Sequence, residues 1–172
     1  WIPVAAGMTL DLRVSILKKI VKLISENPEA IDSLAPLLSN LGFTDGRKAE
    51  TNLNLLRRDV QHPQAFNRLL PVIIESSVEA PDPDMALNNL ERFVSFHEDK
   101  EKVFTFLSHH KEVVSLLLLL FGSSQYLSTF LFSAPQEYLD WLSAPDLLKQ
   151  PVSHGAMLAE LRQGITLKIP VN

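Results

Sequence analysis

Four pairs, Asn27-Pro28, His62-Pro63, Asp82-Pro83 and Ala134-Pro135, each stand at the head of a run with apolar residues at i, i+3 and i+4. This coincidence restricts the fold more than any other feature. Proline disrupts a helix interior, but in the first turn its missing N–H has no intrahelical partner and its fixed φ suits the helix. Asn27 and Asp82 are the matching N-caps, placed to accept from first-turn amides. Leu12, Ile16, Ile20, Leu23 and Ile24 form one stripe, and Ile31, Leu34, Leu37, Leu38 and Leu41 a second. Phe66, Leu69, Leu70, Ile73 and Ile74 form a third, and Leu127, Phe130 and Leu131 continue the pattern. The period is helical throughout. The expectation is an all-α chain of roughly eight or nine short helices joined by short connections.

The stripes also echo. Ala49-x-x-Asn52-Leu53-x-x-Leu56 recurs as Ala86-x-x-Asn89-Leu90-x-x-Phe93, an offset of 37 residues. At that offset Phe66, Leu69 and Leu70 fall on Val103, Phe106 and Leu107. Helix-pair repeats have units of about this length and bury their stripes on one another. Two architectures fit: a solenoid-like stack of helix hairpins, or an irregular helical bundle. After Pro151 the pattern weakens. Val152 to Gly155 reads as a loop, Ala156 to Gln163 as a short helix that Gly164 can end, and Ile165 to Asn172 as a strand-like tail without a partner strand. The expected organisation is an N-terminal extension over 1–8, a helical domain over 9–150, and a terminal loop, short helix and tail over 151–172.

Composition excludes several functions. A net charge of −4 with a pI near 5.7 lacks the clustered basic excess of a nucleic-acid surface. With no cysteine, disulfides, thiolate catalysis and Cys-ligated zinc are absent, as suits a reducing compartment. The longest apolar stretch, Val113 to Phe121, is about half of the roughly 20 residues that cross a bilayer. Trp1 to Gly7 has no basic residue to open a signal peptide, and Met8 is a candidate start. A cytoplasmic protein that binds neither membrane nor nucleic acid is expected.

No catalytic, cofactor-binding or metal-ligating residue stands out. The five histidines are scattered; His109 and His110 are adjacent, so on a helix they point about 100° apart and chelate one metal poorly. His97 reads as a surface or capping residue. No serine lies in a Gly-x-Ser-x-Gly elbow. Five residues stand out for structure instead: Asn88, Asn89, Arg92, Gly122 and Trp141. Asn is a mediocre helix former, so a buried Asn88 or Asn89 must find partners, expected among main-chain groups at a neighbouring helix end. Either would then set how successive helix pairs are angled. Glu91 and Arg92, adjacent on a helix, do not face each other, and each needs a partner elsewhere. Gly122 follows a leucine run and suits a C′ position, with Ser123 as the next N-cap. Trp141, with Tyr138 and Leu142, reads as a core anchor. Leu90, Phe93, Leu118, Phe130 and Trp141 are expected in the core.

Two motifs carry a family resemblance: Ala86-Leu87-Asn88-Asn89-Leu90-Glu91-Arg92-Phe93, and Leu120-Phe121-Gly122-Ser123-Ser124-Gln125-Tyr126-Leu127 running on to Pro135-Gln136-Glu137-Tyr138-Leu139-Asp140-Trp141-Leu142. With Gly42-Phe43-Thr44-Asp45 and His62-Pro63, their order and spacing between Asp11 and Leu142 resemble the helical N-terminal region of bacterial glutamine synthetase adenylyltransferase. That bifunctional enzyme adds AMP to glutamine synthetase and removes it. In the family a nucleotidyltransferase domain follows, with a Gly-Ser motif and an Asp-x-Asp pair whose carboxylates hold divalent metals. The resemblance implies Mg and ATP for the full-length enzyme and no cofactor for this chain. As partners it implies glutamine synthetase, a PII signal protein and the remainder of the same polypeptide. It also implies self-association wherever a separated piece bares apolar surface, expected near Leu139 to Leu161.

The catalytic pattern itself is not expected here. Gly122-Ser123-Ser124 is followed by no acid pair, the next acids being Glu137 and Asp140. Asp82-Pro83-Asp84 spells Asp-x-Asp, but at a helix start, where two acids complement the positive end of the dipole. The function expected is a non-catalytic helical portion of an enzyme that regulates nitrogen assimilation, scaffolding its AMP-removing domain or docking partners. The alternative is a free-standing helical-repeat adaptor for another protein.

Overall fold

A computed structural model describes residues 10–26, 33–58 and 63–133, and among these residues there are eight helices and no strand. They are α1 (Leu10–Glu26), α2 (Ala35–Leu41), α3 (Gly46–Arg58), α4 (Pro63–Glu79), α5 (Pro83–Ser95), α6 (Lys100–His109), α7 (Lys111–Ser123) and α8 (Gln125–Ser133). The chain divides after Leu139 into two units, and every described residue belongs to the first. The expectations for Asn27-Pro28, Ala134-Pro135, Trp141 and the two ends of the chain lie outside the described residues.

Local chemistry accounts for most helix starts. α4 and α5 begin at Pro63 and Pro83. Asp82 Oδ1 accepts the Met85 N–H at 2.9 Å, Asp45 Oδ1 that of Lys48 at 3.0 Å, and Asp99 Oδ1 that of Lys102 at 2.9 Å. Each pairs a first-turn amide that has no carbonyl within its helix. α2 stops at Gly42, whose φ of 120° is costly for any residue with a Cβ. There the Gly42 and Phe43 amides donate back to Ser39 and Leu38 carbonyls, both at 3.2 Å, closing the helix.

The third stripe is buried in full: Phe66, Leu69, Leu70, Ile73 and Ile74 are each at most 1% exposed, although Pro71 stands among them inside α4. Leu90, Phe93 and Leu118 are also core residues. Two stripes are corrected. Leu12 is 51% exposed, and only the Ile20 and Ile24 end of the α1 stripe is fully buried. On α8, Leu127 and Phe130 face outward, 41% and 53% exposed, whereas Ser128 and Phe132 are buried. The physical reason lies in composition. α8 carries no charged residue, so both of its faces are apolar enough to bury and periodicity cannot choose between them.

The 37-residue echo is visible in the helices. α3 and α5 have equal length and begin 37 residues apart, as do α4 and α6 at their starts, and the caps Asp45 and Asp82 keep the same offset. All eight motif positions are buried. The copies then diverge: α6 ends at His109, and α7 leaves it at a bend of 110°. α7 packs against both α4 and α5, with Phe121 tilted on Phe93 at 5.6 Å. α3 packs on α2 and α5 rather than on α4, the next helix in the chain, while α1 and α6 lie on α4. The result is an irregular bundle in which α4, α5 and α7 pack on one another, not a stack of hairpins. Among the described residues no single helix is long and apolar enough to cross a membrane.

Candidate functional site: a polar junction of α5, α7 and α8

The last turn of a helix leaves carbonyls without intrahelical partners. In α7 the Leu120 carbonyl takes the Ser124 N–H at 3.2 Å. The Phe121 carbonyl accepts instead from Asn89 Nδ2 on α5, at 3.1 Å. The same Nδ2 faces Gln125 Oε1 at 3.2 Å and Ser128 Oγ at 3.1 Å. Ser128 Oγ spends its own hydrogen on the Ser124 carbonyl at 2.9 Å, so toward Asn89 it accepts. Two amide hydrogens thus serve three acceptors. The orientation of the amide follows, because a flipped Oδ1 would face all three. Asn89 is 0% exposed, and its Oδ1 is buried without a partner. One side chain therefore ties the end of α7 and the start of α8 to the middle of α5. Asn88, one residue back, is half-buried and takes no part in the junction.

Gly122 completes the contact, in a role different from the C′ position expected. It lies inside α7, which continues to Ser123. A Cβ on it would sit 2.7 Å from Ala80 Cβ, 2.9 Å from the Asp82 carbonyl oxygen and 3.1 Å from Ala86 Cβ. It is glycine because α7 presses on the α4–α5 connection, and not because a turn needs positive φ. Ser123 is not the cap of α8 either. Its Oγ donates back to the Leu119 carbonyl, and Ser124 Oγ accepts the Leu127 N–H at 3.3 Å.

Arg92 lies on the exposed side of this region. Its guanidinium carbon stands 5.0 Å over the Phe132 ring, while Glu91 accepts from Ser95 Oγ at 2.7 Å. Phe132 also meets Phe121 at 5.9 Å and Phe96 at 5.5 Å. His97 caps the C-terminal end of α5, with Nδ1 2.8 Å from the Phe93 carbonyl. It is not a surface residue, being 4% exposed and packed edge-on against Phe93 at 4.7 Å. A carbonyl only accepts, so Nδ1 carries the hydrogen.

The Asp-x-Asp spelling does not fit a metal–nucleotide role. Asp82 caps its own helix, and both oxygens of Asp84 are taken: Oδ2 by the Thr44 N–H at 2.8 Å and Oδ1 by the Asp45 N–H at 3.1 Å. Among the described residues no three His, Cys, Asp or Glu side chains group as metal ligands. A cavity of about 50 Å³ between α1 and α4, lined by Arg13, Leu17, Leu41 and Glu75 among others, is far below the several hundred Å³ of a nucleotide-sized pocket.

The structure brings the described parts of three resemblance-bearing segments together. The α5 motif meets the α7–α8 motif through Asn89, through Ala86 against Gly122, and through Phe93 against Phe121. Gly42 to Asp45 joins them through Asp84. Sequence reasoning missed Asp84 as a clamp and Ser128 as a partner. Ser128 had a signal, as a polar residue four after Ser124 in an apolar helix; Asp84 had none.

No family model matches the chain, and no solved structure matches it significantly. Two curated proteins are similar to part of it. The bifunctional glutamine synthetase adenylyltransferase/adenylyl-removing enzyme of Rhodopseudomonas palustris strain HaA2 is 29% identical over 73 residues, 42% of this chain and 7% of that enzyme. Its counterpart in strain BisB5 is 29% identical over 82 residues, 48% of this chain and 8% of the enzyme. The matched segment is thus a small part of either relative, and the similarity supports a relation to that enzyme family over about half of this chain.

Proposed function

We propose that this chain is a non-catalytic helical portion of a glutamine synthetase adenylyltransferase/adenylyl-removing enzyme, acting in the cytoplasm in the control of nitrogen assimilation. Its work is mechanical: it holds the AMP-removing domain in place or docks partners, glutamine synthetase and a PII signal protein foremost. The observation that carries this reading is the convergence of the motifs. The described parts of the α5 and α7–α8 segments that resemble the family meet at one buried junction, and Gly42 to Asp45 is clamped to α5 by Asp84. A rigid frame is what such a junction supplies, since Asn89 joins three helices at one atom. Mg and ATP belong on this reading to the full-length enzyme.

Calorimetric titration of the purified chain into glutamine synthetase, with parallel assays of AMP transfer and phosphorolytic release, tests the proposal. Binding without turnover is expected. Metal-dependent turnover by the pure chain, abolished by Asp82→Asn with Asp84→Asn, would overturn it. The repeated α3–α4 and α5–α6 frame favours a second reading, a free-standing helical-repeat adaptor. A reading frame that continues into a Gly-Ser…Asp-x-Asp segment decides for the first, and one that stops short of it decides for the adaptor.

A further inference from the structure

Helices α2 and α3 are joined at close range. Glu50 on α3 accepts the Ala35 N–H at the start of α2, at 2.6 Å, pairing a first-turn amide that has no carbonyl within its helix. Gly46 lets the two helices touch, since a Cβ there would collide with the Ala35 carbonyl oxygen and with Ser39 Oγ. Leu38 of α2 and Leu53 of α3 are both 0% exposed. Such a pair moves as one body or not at all.

Its attachment to the other helices is of a different kind. In the repeat, Asn52 on α3 stands where Asn89 stands on α5. Asn89 ties α5 to α7 and α8, whereas Asn52, 6% exposed, has no hydrogen-bond partner among the described residues. An amide so placed adds no bond where α3 packs on α5, yet it carries a desolvation cost. Where Leu41 of α2 meets α1 and α4, the contact borders the cavity of about 50 Å³, and atoms that face a void forfeit dispersion contacts. Asp84 holds the pair to α5 through the Thr44 and Asp45 amides, but both of those bonds lie at the surface, where water competes for them. We infer that α2 and α3 form a latch: the pair opens from α5 as one body, at a lower free-energy cost than unfolding of the chain, with Asp84 as the catch. The Asn89 junction stays closed during this opening. An otherwise fixed frame thereby gains one movable part.

Native-state hydrogen exchange of the whole chain, followed by NMR at low urea concentrations, tests the latch. Leu53 and Leu56 amides on α3 should open with a lower free energy and a smaller urea dependence than Leu117 and Leu118 amides on α7, because less surface is uncovered. Two variants separate latch opening from global unfolding, since an interaction protects an amide only against openings that break it. Asp84→Ala should speed exchange at Leu53 and Leu56 by about 5- to 30-fold. Asn89→Ala should speed exchange at Leu117 and Leu118 and leave Leu53 and Leu56 unchanged. Far-UV circular dichroism confirms that both variants are folded, and Asn89→Leu replaces Asn89→Ala should the latter not fold. If the α3 and α7 amides share one opening free energy and one urea dependence, the pair opens only with the whole chain and the inference is overturned. Equal acceleration of α3 and α7 by the Asn89 variant overturns it too, as does unchanged α3 exchange in Asp84→Ala.

Discussion

Replacing Asn89 with Ala removes the side chain that holds α5, α7 and α8 together, and its cost can be worked from the three acceptors it serves. Gln125 is exposed and can turn its Oε1 to water. Ser128 Oγ keeps its bond to the Ser124 carbonyl. The Phe121 carbonyl loses a buried donor at 3.1 Å, and stranding such a group costs about 1–3 kcal/mol. The small void adds a few tenths, at roughly 24 cal/mol per Å³. Asn89→Ala is therefore expected to cost about 1–3 kcal/mol. Asn89→Leu fills the void and removes the unpaired Oδ1, but still strands the carbonyl, and about 1–2 kcal/mol is expected.

Asn89→Asp is the sharper test because it barely changes shape. The amide donor becomes an oxygen that faces three acceptors in a buried site, and an uncompensated buried charge costs about 3–5 kcal/mol. Burial and like dipoles raise the folded-state pKa of such an Asp above its unfolded value of about 3.9. The native state then binds more protons than the unfolded state over that window, so stability falls as pH rises through it. The deficit should shrink as pH is lowered toward 4. Urea denaturation at pH 7 and pH 4.5 reads these differences from midpoints at constant m. A double-mutant cycle with Ser128→Ala should give a coupling of about 0.5–1.5 kcal/mol, as expected for residues in contact. If Asn89→Ala and Asn89→Asp both stay within about 0.5 kcal/mol of wild type, the junction is not what holds these helices.

Other outcomes follow from the same geometry. Gly122→Ala, a change that normally strengthens a helix by about 1 kcal/mol, should instead destabilise by about 1–3 kcal/mol, since its Cβ would press on Ala80 and the Asp82 carbonyl; a higher denaturation midpoint would contradict that packing. Asp84→Ala should cost about 1–2 kcal/mol and speed hydrogen exchange at the Thr44 and Asp45 amides, which NMR can follow residue by residue. Asp84→Asn, left with one amide oxygen, should fall between the two. Phe93→Ala should cost about 3–5 kcal/mol because Phe93 is 0% exposed, while Tyr126→Ala, at a position 80% exposed, should cost under about 0.5 kcal/mol; equal losses in parallel melts would mean that the outward face of α8 is covered in solution.

The sequence by itself determined the helical class, several helix starts, and the core of α4. Pro63, Pro83 and the caps Asp45, Asp82 and Asp99 act within one turn of their own helices, so a linear reading can see them. The 37-residue echo was likewise legible, because it repeats a local pattern of side chains. Tertiary structure decided what depends on distant partners. Asn89 reaches across 32, 36 and 39 residues, and Asp84 across 39 and 40. No periodicity names the other end of such a bond. The same holds for Gly122, whose neighbour is a connection some forty residues earlier. It holds for α8 too, where an uncharged helix offers two apolar faces. The buried one is the face whose serine meets Asn89 and whose Phe132 fills the gap between Phe96 and Phe121.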